Sequence, residues 1–477
     1  GLLQEKLYKF PGIYIQNRTE RQYNYPNMGL ILGYVAEVDK NKMVADPYYV
    51  RGDYVGKSGI ELSHEEDLRG EKGVEVLLRD AHGRVQGRYD DGKQDKAPKS
   101  GKDLTLSIDI DLQAYGELLM QNKVGSIVMI EPATGEILCM VSAPTYDPAL
   151  LTGKAFGTNY RQLEANPYKA LFNRSIAGTY PPGSTFKPTQ GLIFLQEGII
   201  TPETRYSCFG GYPPLGGRPG CHGHASPLAI QYALATSCNS FFSYGLNGML
   251  GNRTKYSSTS GAFDVWRDHM VNMGFGYPLG VDLPSEKSGF IPNSKFYTNV
   301  FKTDRWVAHN IISIAIGQGE ILATPLQIAN LGATIANRGY YYTPHVVRER
   351  KGASLDAAFT TRHETGINRE HYEVTVAGMA DAVTIGTCRG INLAPLVDVC
   401  GKTGTSENPH GDDHSIFMGF APKDNPQIAI AVVVENGRFG ATNAVPIARL
   451  MMQKFFSGEI PESDKWLETS IINRVIL

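Results

Sequence analysis

The chain of 477 residues has no run of about 18 apolar residues, the length a membrane-spanning helix needs. Its first residues also lack the basic-then-apolar order of a secretory signal, so the chain as it stands reads as soluble. An excess of one charge is missing too: 46 basic and 48 acidic side chains leave a formal net charge of −2. A polyanion-binding surface needs a basic surplus, so nucleic acid is not an expected partner. Six cysteines are too few for a disulfide scaffold in a chain this long, and no internal repeat stands out. What is present is ordinary globular composition, 42% hydrophobic and 20% charged, enough for a large buried core and at least one further domain. With 52 glycines and 27 prolines, long loops suit the chain better than a helical bundle.

Residues 1–7 read as the end of a helix already in progress, so an upstream piece carrying an anchor is an open expectation. Up to about residue 87, short apolar runs alternate with turn residues, as at 29–35 and 73–79, and predict short strands. The stretch 88–102 is charged, contains Gly and Pro, and is nearly free of apolar residues; it reads as a linker or exposed hairpin. The division expected is therefore 1–102, a partial strand-rich pedestal of the dimerisation type with its linker, and 103–477, the main domain.

In the main domain, helical spacing over 109–122 is followed by two apolar runs, 126–130 and 137–141, around a turn. Strand-length runs return at 415–421 and 427–434, the second apolar enough to be buried on both faces. Between them lies a long, mostly helical insertion, for example 325–337. This pattern predicts an α+β fold, a sheet packed with helices.

Three short patterns carry chemistry. Ser184-Thr185-Phe186-Lys187 follows Gly178-Thr179-Tyr180-Pro181-Pro182-Gly183, so a Pro/Gly turn delivers the serine to the first turn of a helix. Positions i and i+3 share a helix face, which puts the lysine amine within reach of the hydroxyl. A serine needs a neighbouring base to become nucleophilic, and a lysine whose pKa is lowered by burial or a second cation can serve. Ser237-Cys238-Asn239, after a helical stretch at 227–236, offers a hydroxyl and an amide able to pass a proton and hold a peptide bond. Ser406-Glu407-Asn408 has the same form, so the tripeptide alone decides nothing. Lys402-Thr403-Gly404-Thr405-Ser406 precedes the last strand pair, and its glycines allow a ligand close to the backbone. An edge strand there would offer peptide N–H groups to an extended substrate, while Lys402 and the threonines suit a carboxylate. Any one pattern alone is more often structural; a serine at a helix N-terminus is usually a cap.

Ser-x-x-Lys, Ser-x-Asn and Lys-Thr-Gly in that order resemble the signature of penicillin-binding proteins and serine β-lactamases. The likeness to class B penicillin-binding proteins runs nearly end to end. It includes Phe10-Pro11-Gly12, Leu32-Gly33-Tyr34-Val35, Gly59-Ile60-Glu61, Leu68-Arg69-Gly70 and Leu104-Thr105-Leu106-Ser107-Ile108-Asp109. It continues through Ile316-Gly317-Gln318-Gly319, Ala323-Thr324-Pro325-Leu326-Gln327 and Phe417-Met418-Gly419-Phe420-Ala421-Pro422, and is strongest with the elongation-specific branch.

That resemblance implies an antiparallel sheet with helices on both faces, a helical subdomain, and a peptidoglycan D,D-transpeptidase activity. It implies Ser184 as the nucleophile toward D-Ala-D-Ala stem peptides, Lys187 as base, Ser237 as proton relay and Asn239 as holder of the acyl peptide. Lys402 would keep Lys187 neutral by like-charge repulsion. Thr403 and Thr405, with Gly404 between them, would bind the terminal carboxylate, and the amides of Ser184 and Thr405 would form the oxyanion hole. β-Lactams would inhibit. It also implies a periplasmic domain of a protein anchored in the cytoplasmic membrane, with a SEDS-type glycan polymerase and MreC-like proteins as partners, and no catalytic cofactor. The rival readings are a β-lactamase or D,D-carboxypeptidase, and a non-catalytic β-lactam sensor or scaffold. No deacylating carboxylate stands out for the first; intact Ser184, Lys187 and Lys402 speak against the second.

Cys208, Cys221, His222, His224 and Cys238 lie between or within the first two patterns. Three thiols and an imidazole make a tetrahedral zinc set, with His224 preferred to His222 for its spacing from Cys221. Such a set resembles a structural metal site of the elongation class. A Cys208–Cys221 disulfide with Cys238 buried is the alternative, and Cys388 and Cys400 could pair as well. His410, Asp412, Asp413 and His414 read as a solvated turn.

Overall fold

The computed structural model describes Lys6, Lys9, Phe10 and residues 20–477. The helix end expected over residues 1–7 and the Pro11 and Gly12 of the first resemblance motif lie outside them, Lys6 excepted.

The apolar runs form one five-stranded antiparallel sheet: β1 (Gly125–Ile130), β2 (Ile137–Ala143), β3 (Cys400–Ser406), β4 (His414–Ala421) and β5 (Ile428–Val434). Their spatial order is β3-β4-β5-β1-β2, so β3 is an edge strand and β5 is central. Every residue of β5 is buried, which is why its sequence is an unbroken apolar run. The twofold repeat of a strand divides those side chains between two cores. Ala429, Ala431 and Val433 face one apolar cluster; Ile428, Ile430, Val432 and Val434 face the other. Each fully buried Val or Ile contributes about 1.5–3 kcal/mol.

Helices cover both faces. α1 (Ile110–Leu119), capped by the Asp109 carboxylate on the amides of Asp111 and Leu112, packs on one face with α7 (Ala444–Ser457). The other face carries α5 (Pro325–Ala336), whose start is fixed by a Thr324/Gln327 capping box. Around it lie α2 (Lys187–Gln196), α3 (Ile230–Thr236), α4 (Asn239–Gly251) and α6 (Arg369–Thr384).

In the N-terminal part, Val35–Glu37 pairs with Tyr54–Gly56, and Leu77–Arg79 with Val85–Arg88. The 29–35 run, expected as a strand, instead splits into a helical turn, Gly29–Leu32, and the start of a strand at Val35. Gly33 makes the break: it has φ 78°, and a Cβ there would lie 1.9 Å from the Ser58 carbonyl oxygen. The charged stretch 88–102 is exposed but folds back on the chain, through bridges Glu71–Lys99 and Val74–Lys96. No helix among the described residues is long and apolar enough to cross a membrane.

Candidate active site and thiol cluster

Chain geometry first delivers a serine. Gly183 has φ 55°, a conformation that favours glycine, and a Cβ on it would lie 2.4 Å from the Thr405 carbonyl oxygen. The Pro-Pro-Gly turn therefore rests directly on β3, and a 3₁₀ turn, Gly183–Phe186, leads into α2. Ser184 stands at that junction, half-buried, and its hydroxyl makes no hydrogen bond to any described residue.

One turn on, Lys187 has no exposed surface, and its amine turns to the second pattern. Nζ donates to the Ser237 carbonyl at 2.7 Å, approaches the Ser237 hydroxyl at 3.0 Å, and bonds to Asn239 Oδ1. Ser237 closes α3 in the left-handed region, φ 57°, and Cys238 caps α4 by accepting from the Phe241 amide. This tight kink turns the carbonyl, the hydroxyl and the Asn239 amide toward one amine. Asn239 is itself held by Nδ2 donating to the Gly220 carbonyl at 2.6 Å. The i, i+3 spacing thus puts Lys187 beside Ser184, but the amine's bonds go to Ser237 and Asn239. Burial, then the charge of Lys402, holds the Lys187 pKa well below its ordinary value.

The third pattern lies in β3. Lys402 is also fully buried; its amine donates to the Thr403 carbonyl at 3.1 Å, and burial pulls its pKa down to about 8. Thr403 donates to the Thr387 hydroxyl at 2.9 Å, and Gly404 receives Thr185 and Pro182, which a Cβ would meet at 2.9 and 3.0 Å. Ser184, Lys187, Ser237, Asn239 and Lys402 are therefore gathered where α2, the α3–α4 kink and the edge strand meet.

Beside them lies a second group. One ligand atom each from Cys208, Cys221, His224 and Cys238 lie within 4.8 Å of one another; His222 is exposed and outside the group. The Cys221 and Cys238 sulfurs are 3.9 Å apart, and Cys221 Sγ accepts the Ser240 amide at 3.3 Å. His224 Nδ1 donates to the Ala225 carbonyl at 3.0 Å, which leaves Nε2 as a buried acceptor without a partner. All six cysteines are unpaired, so neither the Cys208–Cys221 nor the Cys388–Cys400 disulfide is formed. His410, Asp412 and His414 do not converge: Asp412 pairs with Arg438, and His414 accepts from the Asn436 amide.

Three contacts around the site, including that of Thr403 with Thr387, have no counterpart in the sequence patterns. Gln318 donates through Nε2 to the Thr405 carbonyl at 2.9 Å, and its neighbour Gly317 accepts the Gly183 amide at 2.9 Å. One short loop so clamps both the serine turn and the edge strand. Gln318 stood within the Ile316–Gly319 resemblance without a role; Thr387 carried no signal at all.

The sequence matches the family described as "Penicillin binding protein transpeptidase domain" over residues 125–453, and "Penicillin-binding Protein dimerisation domain" over 2–106. It is 35% identical over 473 residues to a peptidoglycan D,D-transpeptidase MrdA of Acinetobacter baumannii, covering 92% of this chain and 66% of that protein. The chain thus spans just under two thirds of that relative's length. Among solved structures, penicillin-binding protein 2 of Helicobacter pylori in complex with MreC superposes with TM-score 0.80 at 26% identity, covering 95% of this chain and 82% of that one. A chain described under "structural coordination of polymerization and crosslinking by a peptidoglycan synthase complex" gives TM-score 0.80 at 28% identity, covering 97% and 80%. With the transpeptidase match taking in all three patterns and most of the chain, the protein belongs to the penicillin-binding protein transpeptidases that carry a dimerisation domain ahead of the catalytic one.

Proposed function

We propose that the chain is the pedestal and transpeptidase portion, residues 1–102 and 103–477, of an elongation-specific peptidoglycan D,D-transpeptidase. One observation carries this reading: a fully buried lysine amine, one turn from Ser184, bonded to Ser237 and Asn239 and lowered in pKa by burial and by Lys402. A neutral Lys187 takes the Ser184 proton as Oγ attacks the carbonyl carbon of the penultimate D-alanine. The amides of Ser184 and Thr405 receive the oxyanion. Collapse breaks the C–N bond, the proton returns through Ser237 to the leaving D-alanine, and an ester on Ser184 remains. Asn239 holds the acyl peptide, while Thr403 and Thr405, on either side of Gly404, hold the departing carboxylate. An amine of a neighbouring stem peptide then attacks the ester and frees Ser184.

In the same reading the thiol cluster is a structural zinc centre. The three sulfurs and the unpartnered His224 Nε2 have the chemistry of a closed tetrahedral site. Zinc there would tie the loop around Cys221 to the start of α4, and so brace Ser237 and Asn239. A periplasmic position, a membrane anchor, an MreC-like partner and a SEDS-type polymerase complete the proposal; the Helicobacter complex supports the MreC element.

Intact-mass spectrometry with a labelled penicillin tests it. A long-lived adduct on Ser184 that the Ser184→Ala variant loses is the expected result. Rapid turnover of the adduct would indicate a hydrolase, and cross-linking retained by Ser184→Ala would refute the enzyme reading.

A further inference from the structure

The Cys221 and Cys238 sulfurs, 3.9 Å apart, belong to two segments that meet beside the active site: a glycine-rich loop and the kink between α3 and α4. Cys238 is the middle residue between the two that hold Lys187. Cys238 and Cys208 are buried, whereas Cys221 is only partly buried, which makes it the member of the pair nearer to solvent and to small oxidants.

We propose that Cys221 and Cys238 form a redox-sensitive pair, which a peroxide closes into a disulfide when no metal occupies the cluster, switching off the neighbouring active site. Its activity arm rests on the transpeptidase reading; its chemistry does not. The Cys221 sulfur attacks the peroxide oxygen, the O–O bond breaks, and a sulfenic acid and one water result. The Cys238 sulfur then attacks the Cys221 sulfur, the S–O bond breaks, and a second water leaves. In sum two thiols and one hydrogen peroxide give one disulfide and two waters, a two-electron oxidation.

Closure alters the site because a disulfide holds its sulfurs about 2.05 Å apart, nearly 2 Å closer than here. Each sulfur currently accepts a backbone amide at the start of α4: Cys221 that of Ser240 at 3.3 Å, Cys238 that of Phe241 at 3.4 Å. Drawing them together moves the first turn of α4, and with it Asn239, whose Nδ2 is tied to Gly220 on the Cys221 side. Lys187 then loses the geometry of its partners, since among the described residues its amine hydrogen-bonds to Ser237 and Asn239 alone. A metal bound by the same sulfurs would block the reaction by occupying their lone pairs.

The test uses the full chain, metal-stripped with a chelator or loaded with Zn(II), exposed to hydrogen peroxide and digested without reduction. The expected result is loss of two hydrogen masses in the stripped protein only, a Cys221–Cys238 cross-linked peptide, and acylation by labelled penicillin at least tenfold slower. A thiol reductant should restore both. A Cys208→Ser variant, treated alike, should still form the cross-link. A cross-link through Cys208, irreversible sulfonic acid in place of a disulfide, equal oxidation of the zinc-loaded protein, or undiminished acylation by the cross-linked form would each overturn the proposal. If the cross-link forms as stated and neither redox state acylates, the transpeptidase reading has failed and the redox chemistry has not.

Discussion

Replacing Lys402 by methionine is expected to make the protein more stable while slowing its acylation at low pH. The side chain has no exposed surface, and burial lowers its pKa from 10.5 to about 8. At about 1.4 kcal/mol per unit, carrying the charged amine in the folded state costs roughly 3 kcal/mol at neutral pH. Methionine is close in length and pays no such cost, but it forfeits the 3.1 Å bond to the Thr403 carbonyl, worth about 1 kcal/mol. The net gain is therefore about 2 kcal/mol, which thermal unfolding would register as a rise of about 4 °C. Its pH dependence identifies the cause. Below pH 8 both the folded and unfolded parent carry the charge and the cost is full; between 8 and 10.5 the folded amine is neutral and the unfolded one charged, so the cost shrinks; above 10.5 it is gone. The advantage of Lys402→Met should accordingly fade as pH rises through that window. Without the Lys402 charge, Lys187 keeps its proton to higher pH, so the acid limb of acylation moves upward in pH and acylation slows on that limb. A variant less stable than the parent at pH 7, or an advantage unchanged between pH 8 and 10, would refute the reasoning.

Lys187→Met should lower the rate of labelled-penicillin acylation by roughly 10²–10⁴, the usual value of a general base, with the fold intact by circular dichroism. Gly183→Ala must adopt φ 55° with a Cβ 2.4 Å from the Thr405 carbonyl oxygen, and is expected to cost about 1–3 kcal/mol in denaturant unfolding; parent-like stability would contradict the close approach. Gln318→Ala frees the Thr405 carbonyl and should slow acylation about fivefold, on the order of one hydrogen bond, with little change in unfolding midpoint. Removing bound metal with a chelator should lower the thermal midpoint and Zn(II) should restore it, because a ligand of the folded state alone stabilises that state.

The sheet was legible where burial leaves one solution. β5 is a short run of Ile, Ala and Val with no exposed residue, and its length and β-branching point to a covered strand; β1 and β2 follow the same logic. The three patterns could be recognised because each packs its chemistry into a few adjacent residues. What joins them was not legible. The bonds from Lys187 to the Ser237 carbonyl depend on a left-handed residue at the end of α3, a conformation that serine does not announce. Gln318–Thr405 and Thr387–Thr403 connect segments far apart in sequence, and no spacing rule links them. The main cause of the depressed Lys187 pKa was also hidden: Lys402 contributes, but burial contributes more, and burial is a property of the assembled site. At 29–35 the apolar run predicts a strand, because a glycine stop at Gly33 looks the same as an ordinary residue in the hydrophobic pattern.

The central sheet joins the two ends of its domain: Ile127 lies opposite Val432, and Met129 opposite Ile430. During synthesis, β1 and β2 emerge from the ribosome early and must wait, as a bare hairpin with one open apolar flank, until the last strands arrive. Long-range pairing of this kind is slow and leaves the growing chain exposed to aggregation. It also means that a nascent or C-terminally cleaved chain lacking β3 has no edge strand on which to complete the site, so premature fragments are inert by construction.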